Sequence, residues 1–240
     1  MAHAPFVHVA LMGAQGSGKG TQAARLTPRY GLVHLSTGDL FRAAIASGSA
    51  VGQEIKTIYD RGDLIPDDLT LRLVALRLDE LAAQASAGAG IAGALFDGFP
   101  RTAAQAEGLD GLLARRGERL AGVVLITVPL EALVVRLAGR RVCPRDGKTY
   151  HVEFDPPQVA GVCDLCQSPL VQREDDQPVA IKRRLDNFFA QTAPLVDYYR
   201  ERGVLVEVSG NQPVDRVTGA IERALSRMGV VPIGDTGATE

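Results

Sequence analysis

The residues best suited to chemistry form a glycine-rich stretch at positions 13–21, with the sequence GAQGSGKGT. An apolar run at positions 6–12 precedes it, and residues 22–26 are typical of a helix. A strand, a glycine turn and a helix in this order are the setting of a phosphate-binding loop. The glycines let successive backbone N–H groups point into one concavity, to which the helix adds its positive N-terminal end. Lys19 supplies a mobile charge for the outer phosphates of a ligand.

This loop departs from the common phosphate-binding pattern at one position. Ser or Thr usually follows the lysine directly, whereas here Gly20 follows Lys19 and Thr21 comes one position later. The alternative interpretation is a glycine turn that only connects a strand to a helix, but the strand–loop–helix setting and the lysine favour phosphate binding. The loop alone does not indicate which reaction the bound phosphate undergoes.

A second chemical motif is LFDGFPRT at positions 95–102. Its apolar strand delivers Asp97 to a carboxyl end, where α/β sheets place their sites. A carboxylate there can hold Mg²⁺ through the ion's water molecules, and Arg101 offers a planar fork for a phosphate. The alternative is a strand-ending turn with a solvated Asp97, which the upstream phosphate loop makes less attractive.

Further basic residues are scattered along the chain. Ser36 or Thr37 could cap a helix that begins near Asp39 and carries Arg42 one turn in. A second helix-turn signal follows at positions 63–67. Helix capping alone is the simpler interpretation of this segment, but Arg42 and the second helix-turn signal favour a functional site.

A further group of arginines follows in the second half. Arg136 and Arg140 are four positions apart, which predicts that they share one face of a helix. Arg173 and the run at 182–184 come later. Such pairs are often solvated helix faces, but arginines that converge on one cleft could neutralise the phosphates of two nucleotides.

The cysteines suggest a metal site. Cys143 begins a CxxD sequence that ends at Asp146, and Cys163 and Cys166 form a CxxC sequence. Zn²⁺ accepts sulfur and carboxylate ligands tetrahedrally, and four protein ligands make a closed structural site. A free-thiol loop is the alternative, and His151 competes with Asp146 as the fourth ligand. A segment with so few apolar residues would gain stability from a metal.

Composition narrows the class of protein. The chain has 240 residues, of which 46% are hydrophobic and 22% charged, and its net charge is −2. It lacks the overall basic charge of nucleic-acid binders and the apolar run of about 20 residues that a membrane span needs. The first residues lack the layout of a signal peptide, and three clustered cysteines do not suggest a disulfide framework. We therefore expect a cytoplasmic protein that binds neither nucleic acid nor membrane.

The hydrophobic pattern predicts an α/β fold. Strands are expected at 7–12, 94–97, 122–127 and 204–208, with a weak one at 32–35, and amphipathic helices at 69–83, 102–115 and 130–138. Short apolar runs joined by helical crossovers are typical of a buried parallel sheet. Residues 85–93 form a small-residue linker, and the tail at 229–240 is expected to be flexible.

These motifs together resemble those of the adenylate kinase family, in its long-lid bacterial form. The resemblance covers about residues 7 to 228 and rests on residues 13–21, 36–39, Arg42, 97–102, Gln105, 139–141, 150–151, Arg173, 175–176 and Arg184. It implies a single P-loop NTPase-type domain with a five-stranded parallel sheet flanked by helices. The implied core is 1–35, 66–138 and 177–228, with an AMP-binding insert at 36–65 and a metal-stapled lid over ATP at 139–176.

The resemblance also implies site residues and substrates. The implied ATP-binding residues are Gly16, Ser17, Gly18, Lys19, Gly20, Thr21, Arg136, Arg140, Thr149, Tyr150 and Gln212. The implied AMP-binding residues are Thr37, Arg42, Asp63, Leu64, Ile65, Gly98, Phe99, Pro100, Arg101, Gln105, Arg173 and Arg184. The implied catalytic residues are Lys19, Asp97, Arg101, Arg140, Arg173 and Arg184, and the implied zinc ligands are Cys143, Asp146, Cys163 and Cys166. The expected reaction is MgATP plus AMP giving two ADP, in a monomer.

Three departures and two alternatives accompany this hypothesis. Gln15 stands where the family usually has Pro, while Asp63 and Gln212 replace common lysines. The nearest alternative is a kinase for UMP, CMP or GMP. The other, from a different class, is a zinc-ribbon nucleic-acid binder with a regulatory phosphate loop, which the near-neutral charge disfavours.

Overall fold

The protein is described from a computed structural model that covers residues 6–61, 63–173 and 176–233. The strands are β1 (Val7–Met12), β2 (Leu32–Ser36), β3 (Gly93–Asp97), β4 (Arg119–Thr127), β5 (Arg140–Val142), β6 (Thr149–His151) and β7 (Leu205–Ser209). The α-helices are α1 (Lys19–Tyr30), α2 (Thr37–Ala46), α3 (Ala50–Asp60), α4 (Asp67–Ser86), α5 (Ala103–Arg115), α6 (Leu130–Ala138), α7 (Pro178–Asn187), α8 (Leu195–Glu201) and α9 (Val214–Arg227). A π-helical turn, Phe188–Thr192, follows α7 directly and leads to α8. None of the helices in these ranges combines the length and apolar character that crossing a membrane requires.

The central sheet has five strands in the order β2-β3-β1-β4-β7, and all of its neighbours pair in parallel. The middle strands are mostly buried because helices cover both faces, which explains why their central residues are mainly apolar. All five carboxyl ends lie at the same edge. That edge is where an α/β fold places its ligands.

Two apolar layers hold the sheet. On one face, side chains of α4, α5 and α8, such as Leu78, Leu109 and Tyr199, pack against Phe96. On the other face α1 and α9 pack against β1 and β4, for example through Leu26 and Ile221. These layers fix the positions of the strand ends that form the cleft.

The segment between β2 and α4 has a small core of its own. Phe41 of α2 and Ile55 of α3 are buried together with Ile65 and Leu69. A Cβ atom at Gly52 would lie 2.1 Å from the Ala44 carbonyl oxygen, so only glycine allows α2 and α3 to pack this closely.

The segment between α6 and α7 is built differently. Within the described residues, the regular secondary structure of this segment is the antiparallel pair β5–β6. The buried cluster of the segment consists of Cys143, Tyr150 and Cys163, and Cys166 and Leu170 pack against it. Such a small apolar cluster contributes little stability of its own.

The structure confirms the predicted α/β class and the five parallel strands, although the element ends differ by a few residues. The prediction that Arg136 and Arg140 share a helix is wrong, because α6 ends at Ala138 and Arg140 begins β5. Gly139 allows this turn: a Cβ atom there would lie 2.3 Å from Nε2 of His151, which comes from the neighbouring strand.

The predicted linker also begins later than expected, since α4 continues to Ser86. The last seven residues of the predicted flexible tail, 234–240, lie outside the described residues, as do residues 174–175 of the family motif. The division into a core and two mobile inserts stays a prediction.

Candidate active site

One large cleft of about 1830 Å³ opens at the carboxyl edge of the sheet. The structure brings every predicted nucleotide-site residue to its wall. These are Gly16, Ser17, Gly18, Lys19, Gly20, Thr21, Thr37, Arg42, Asp63, Leu64, Ile65, Asp97, Gly98, Phe99, Pro100, Arg101, Gln105, Arg136, Arg140, Thr149, Tyr150, Arg173, Arg184 and Gln212. Proximity to one cleft is established by this geometry, whereas the individual binding roles stay predictions.

The glycine-rich loop turns between β1 and α1. Gly16 and Gly18 have φ angles of +82° and +97°, in the region that glycine adopts most readily, and Gly18 is the N-cap of α1. A Cβ atom at Gly13 would lie 2.5 Å from the Ile126 carbonyl oxygen of β4. The loop therefore needs its glycines both for its turns and for its close approach to the sheet.

Lys19 is the first residue of α1 and lies over this loop. Its amine donates hydrogen bonds to the Gly13 and Ala14 carbonyl oxygens, at 2.8 and 3.0 Å. Burial, with smaller contributions from the nearby Arg101 and Arg184, lowers the pKa of Lys19 to about 8, against the opposing effect of Asp97. The amine therefore lies in a strongly positive region that a phosphate would neutralise.

Asp97 ends β3 at the floor of the cleft. Nε2 of His34, on the adjacent strand β2, lies 3.2 Å from Asp97 Oδ2. Burial would raise the pKa of Asp97, but the His34 hydrogen bond and the charge of Lys19 outweigh it and the pKa is lowered. The carboxylate is therefore ionised near neutral pH and is available to a cation or its water.

Arg101 and Thr37 converge on the backbone after Asp97. The Arg101 Nε atom and the Thr37 hydroxyl both donate to the Gly98 carbonyl oxygen, at 2.7 and 3.0 Å. Burial and the neighbouring Arg184 lower the pKa of Arg101. Gly98 adopts a φ of +72°, and a Cβ atom there would lie 2.9 Å from the Arg101 guanidinium.

Arg42 of α2 approaches the cleft from the insert between β2 and α4. Its guanidinium donates to the Tyr59 hydroxyl at 2.9 Å and pairs with Asp39. Asp63, at the far end of the same insert, accepts a hydrogen bond of 2.7 Å from Arg183 of α7. Leu64 and the buried Ile65 follow it along the wall.

A buried carboxylate joins two of the predicted catalytic arginines. Both oxygens of Asp176 accept from Arg140, with the Nε contact at 2.7 Å, and Oδ1 also lies 3.3 Å from Arg184. Asp176 is fully buried. It therefore holds the guanidinium of β5 and that of α7 side by side at the cleft.

At the other end of the cleft, Arg136 donates to the Gly210 carbonyl oxygen at 3.1 Å, and the Gln212 amide donates to Ser209 at 3.2 Å. Tyr150 behaves differently. Its ring is buried and its hydroxyl accepts from the Asp164 N–H at 2.8 Å, beside the cysteine cluster. The Tyr150 hydroxyl is therefore engaged away from the cleft, which agrees with the expectation that this position would contact a nucleotide through its backbone.

The predicted metal ligands also come together. One ligand atom from each of Cys143, Asp146, Cys163 and Cys166 lies within 4.8 Å of the others. Cys143 Sγ lies 3.4 Å from Cys166 Sγ, and Cys163 Sγ lies 3.1 Å from Asp146 Oδ2. His151 has a different role, since its Nδ1 atom accepts backbone N–H groups within its own turn.

The two ligand pairs sit on turns of the same design. In the first turn, Cys143 N–H donates to Lys148 at 2.9 Å and Gly147 N–H donates to Cys143 at 3.0 Å. In the second, Cys163 bonds with Ser168 and Gln167 at the same distances. Gly147 and Gln167 follow the last ligand of each turn, and both have positive φ angles, +77° and +59°. Asp146 thus occupies the position that Cys166 has in the second turn.

Sequence reasoning missed roles for His34 and Asp176. Asp176 belongs to the motif of the resemblance but received no function, and nothing drew attention to His34. The signal for His34 is its position two residues before the end of β2, yet the pairing of β2 with β3 was needed to bring it beside Asp97.

Comparison with known proteins decides the family. The family model described as adenylate kinase matches residues 11–204. The chain belongs to the adenylate kinase family. Proteins named adenylate kinase from Moorella thermoacetica, Shouchella clausii and Carboxydothermus hydrogenoformans are 48%, 46% and 46% identical to it. These alignments cover 92%, 92% and 90% of this chain and 99%, 98% and 98% of the relatives. As an adenylate kinase family member, the chain is a nucleotide-binding phosphotransferase.

Proposed function

We propose that this adenylate kinase family member reversibly transfers the terminal phosphoryl group of MgATP to AMP, giving two ADP. One observation supports this proposal: the glycine-rich loop with Lys19 and a second set of cationic groups, which includes Arg42 and Arg101, line the same cleft. Two anionic substrates can therefore meet end to end. The names of the relatives agree with this reaction.

In this proposal the loop residues 16–21 hold the ATP phosphates through backbone N–H groups, while Arg136, Gln212 and the Thr149–Tyr150 backbone bind the remainder of ATP. The AMP phosphate is bound by Arg42 and Arg101. The remaining AMP contacts come from Thr37, Asp63, Leu64, Ile65, Gly98, Phe99, Pro100 and Gln105. Phosphoryl transfer needs little covalent help from the protein, so positioning and charge stabilisation account for catalysis.

The groups that stabilise the transferring phosphoryl are cations. Lys19 and Arg101 approach it from the core, and Arg140, Arg173 and Arg184 approach it from the lid and α7. Asp176 supports this arrangement because it fixes Arg140 and Arg184 at one place. The AMP phosphate oxygen is itself the nucleophile, so no side chain is required to attack.

Mg²⁺ enters with ATP as part of the substrate. The ionised Asp97, held by His34 at the end of β3, suits the hydrated ion because Mg²⁺ keeps several of its waters when it binds a protein. Bound there, the ion neutralises charge on the phosphates. Asp97 would position the ion relative to the glycine-rich loop.

For the lid we propose a structural Zn²⁺ ion bound by Cys143, Asp146, Cys163 and Cys166. Three sulfurs and one carboxylate oxygen, on two turns of matching design, fit the ligand preferences of this ion. The ion would cross-link a segment that buries few apolar side chains. A stable lid excludes water, which would otherwise accept the phosphoryl group and hydrolyse ATP.

The wider setting follows from the reaction. We propose a cytoplasmic monomer that balances the adenine nucleotide pool, with ATP, AMP and ADP as its partners and without a role in nucleic-acid or membrane binding.

Replacement of Lys19 tests the proposal directly. Lys19→Ala is expected to lower the rate of ADP formation from ATP and AMP by at least about a hundredfold, since it removes a positioned charge from the transferring phosphoryl. The control is Lys182→Ala, because Lys182 is exposed on α7 and its amine pairs with Asp186 on the same helix. Both variants should retain the wild-type circular dichroism spectrum. Near-normal turnover in Lys19→Ala would rule out the assignment.

A further inference from the structure

The amide of Gln105 is held by two groups of opposite hydrogen-bonding character. Its Oε1 atom accepts from the Arg101 backbone N–H at 2.8 Å, and its Nε2 atom donates to Asp67 Oδ1 at 2.8 Å. A backbone N–H can only donate and an ionised carboxylate can only accept. The two contacts therefore determine which end of the amide is oxygen and which is nitrogen.

A purely structural role explains only half of this arrangement. Gln105 is the third residue of α5, and the Thr102 side chain caps that helix by accepting from Gln105 N–H at 3.1 Å. A side-chain oxygen at position 105 that reaches back satisfies a backbone N–H before the helix, much as in a capping box, although this N–H belongs to Arg101, one residue before the N-cap Thr102. Glutamate would serve that purpose as well as glutamine, but its second oxygen would face the Asp67 carboxylate. The Asp67 contact thus specifically requires an amide.

Gln105 also faces the ligand. Its side chain lines the cleft although the residue is 98% buried, with an exposed fraction of 2%. After the two anchors are satisfied, the amide keeps one N–H and one oxygen lone pair. Adenine presents an N6 amino donor beside a ring-nitrogen acceptor, which a glutamine amide matches with two hydrogen bonds. Guanine presents O6 at the position of that amino group, where it would face the amide oxygen.

We propose that Asp67 is a specificity-determining positioning residue, which fixes the Gln105 amide so that the AMP side of the cleft prefers adenine over guanine. Asp67 is the first residue of α4 and, unlike Gln105, does not line the cleft, so it acts through the amide. This inference rests on the proposed function, in which Gln105 contacts the base of AMP. Without Asp67 the amide keeps one anchor, the Arg101 N–H, and can rotate about it.

The test compares acceptors in two variants of Asp67 and one variant of its neighbour Asp68. Asp67→Ala is expected to lower the ratio of kcat/KM for AMP to that for GMP about tenfold, the value of one charge-assisted hydrogen bond. Asp67→Asn keeps an oxygen that accepts from Gln105 and should retain most of the wild-type ratio. Asp68→Ala is the matched control, because Asp68 is the other acidic residue in the first turn of α4 and also favours the positive end of the helix.

A fourth variant separates this inference from the proposed function. Gln105→Leu should also lower the AMP preference. If Gln105→Leu lowers it and Asp67→Ala does not, the inference about Asp67 is wrong while the AMP subsite stands. If Asp68→Ala lowers the ratio as much as Asp67→Ala, the effect belongs to the helix terminus and the inference is again wrong. An unchanged ratio in Gln105→Leu would overturn both the inference and the assigned base contact.

Discussion

At the scale of single residues, the buried amine of Lys19 links the glycine-rich loop to the arginines across the cleft. It donates to two loop carbonyl oxygens, and Arg101, Arg140 and Arg184 all lower its pKa. A group in this position is only partly protonated at moderately alkaline pH. Its charge, and with it the attraction for phosphate, therefore depends on pH.

We predict that the affinity of the ligand-free protein for MgATP decreases as the pH rises through about 8, the pKa of Lys19. Well below this pH the amine carries its full charge and well above it the charge is lost, whereas phosphate groups, whose second pKa is about 6, are already ionised near pH 8. Titration calorimetry from pH 6.5 to 9.5 measures the effect. A constant affinity over this range would contradict the assigned environment of Lys19.

Sequence reasoning found the residues that belong to local motifs but not those that depend on the arrangement of strands and helices. Lys19, Asp97 and Arg101 stand in short runs whose chemistry is evident. His34 contacts Asp97 only because β2 lies next to β3, and Asp67 contacts Gln105 only because α4 lies beside α5. The spacing of the residues in the sequence predicts neither that β2 lies next to β3 nor that α4 lies beside α5.

At the scale of elements, the helix and strand pattern was predictable and the lid was less so. The bounds of α6 agree with the prediction, yet the inference that Arg140 continues its face is wrong because the chain leaves the helix at Gly139. The periodicity of a helix does not predict the residue at which the helix ends. The spacing of Cys143, Asp146, Cys163 and Cys166, in contrast, was enough to predict that they meet.

We predict that the lid contains about one zinc ion per chain and that its removal destabilises the protein. Chelator treatment, or Asp146→Ala, should lower Tm by roughly 5 °C or more, because the free energy of metal binding contributes to folding. Elemental analysis and differential scanning calorimetry measure the two quantities. Glu153→Ala, an exposed acidic residue of the same segment, serves as the control. Metal-free protein with an unchanged Tm after chelation would contradict the structural-zinc assignment.

At the scale of the whole molecule, the sheet edge, the insert between β2 and α4 and the segment between α6 and α7 all contribute to one cleft. Their cations meet there although the net charge of the chain is only −2. Contacts such as Asp63 with Arg183 and Asp176 with Arg184 connect these two segments to α7. Closure of both inserts over two nucleotides would bring these cations around the transferring phosphoryl and exclude water.

The central claim is that this cleft transfers a phosphoryl group from ATP to AMP. The most direct measurement is an acceptor panel, in which initial rates with MgATP are determined for AMP, GMP, UMP and CMP, and for water alone. The account predicts that AMP is the preferred acceptor by at least about tenfold, that two ADP form for each ATP consumed with AMP, and that hydrolysis without an acceptor is slow. Preference for another monophosphate, or ATP hydrolysis as fast as transfer, would contradict it.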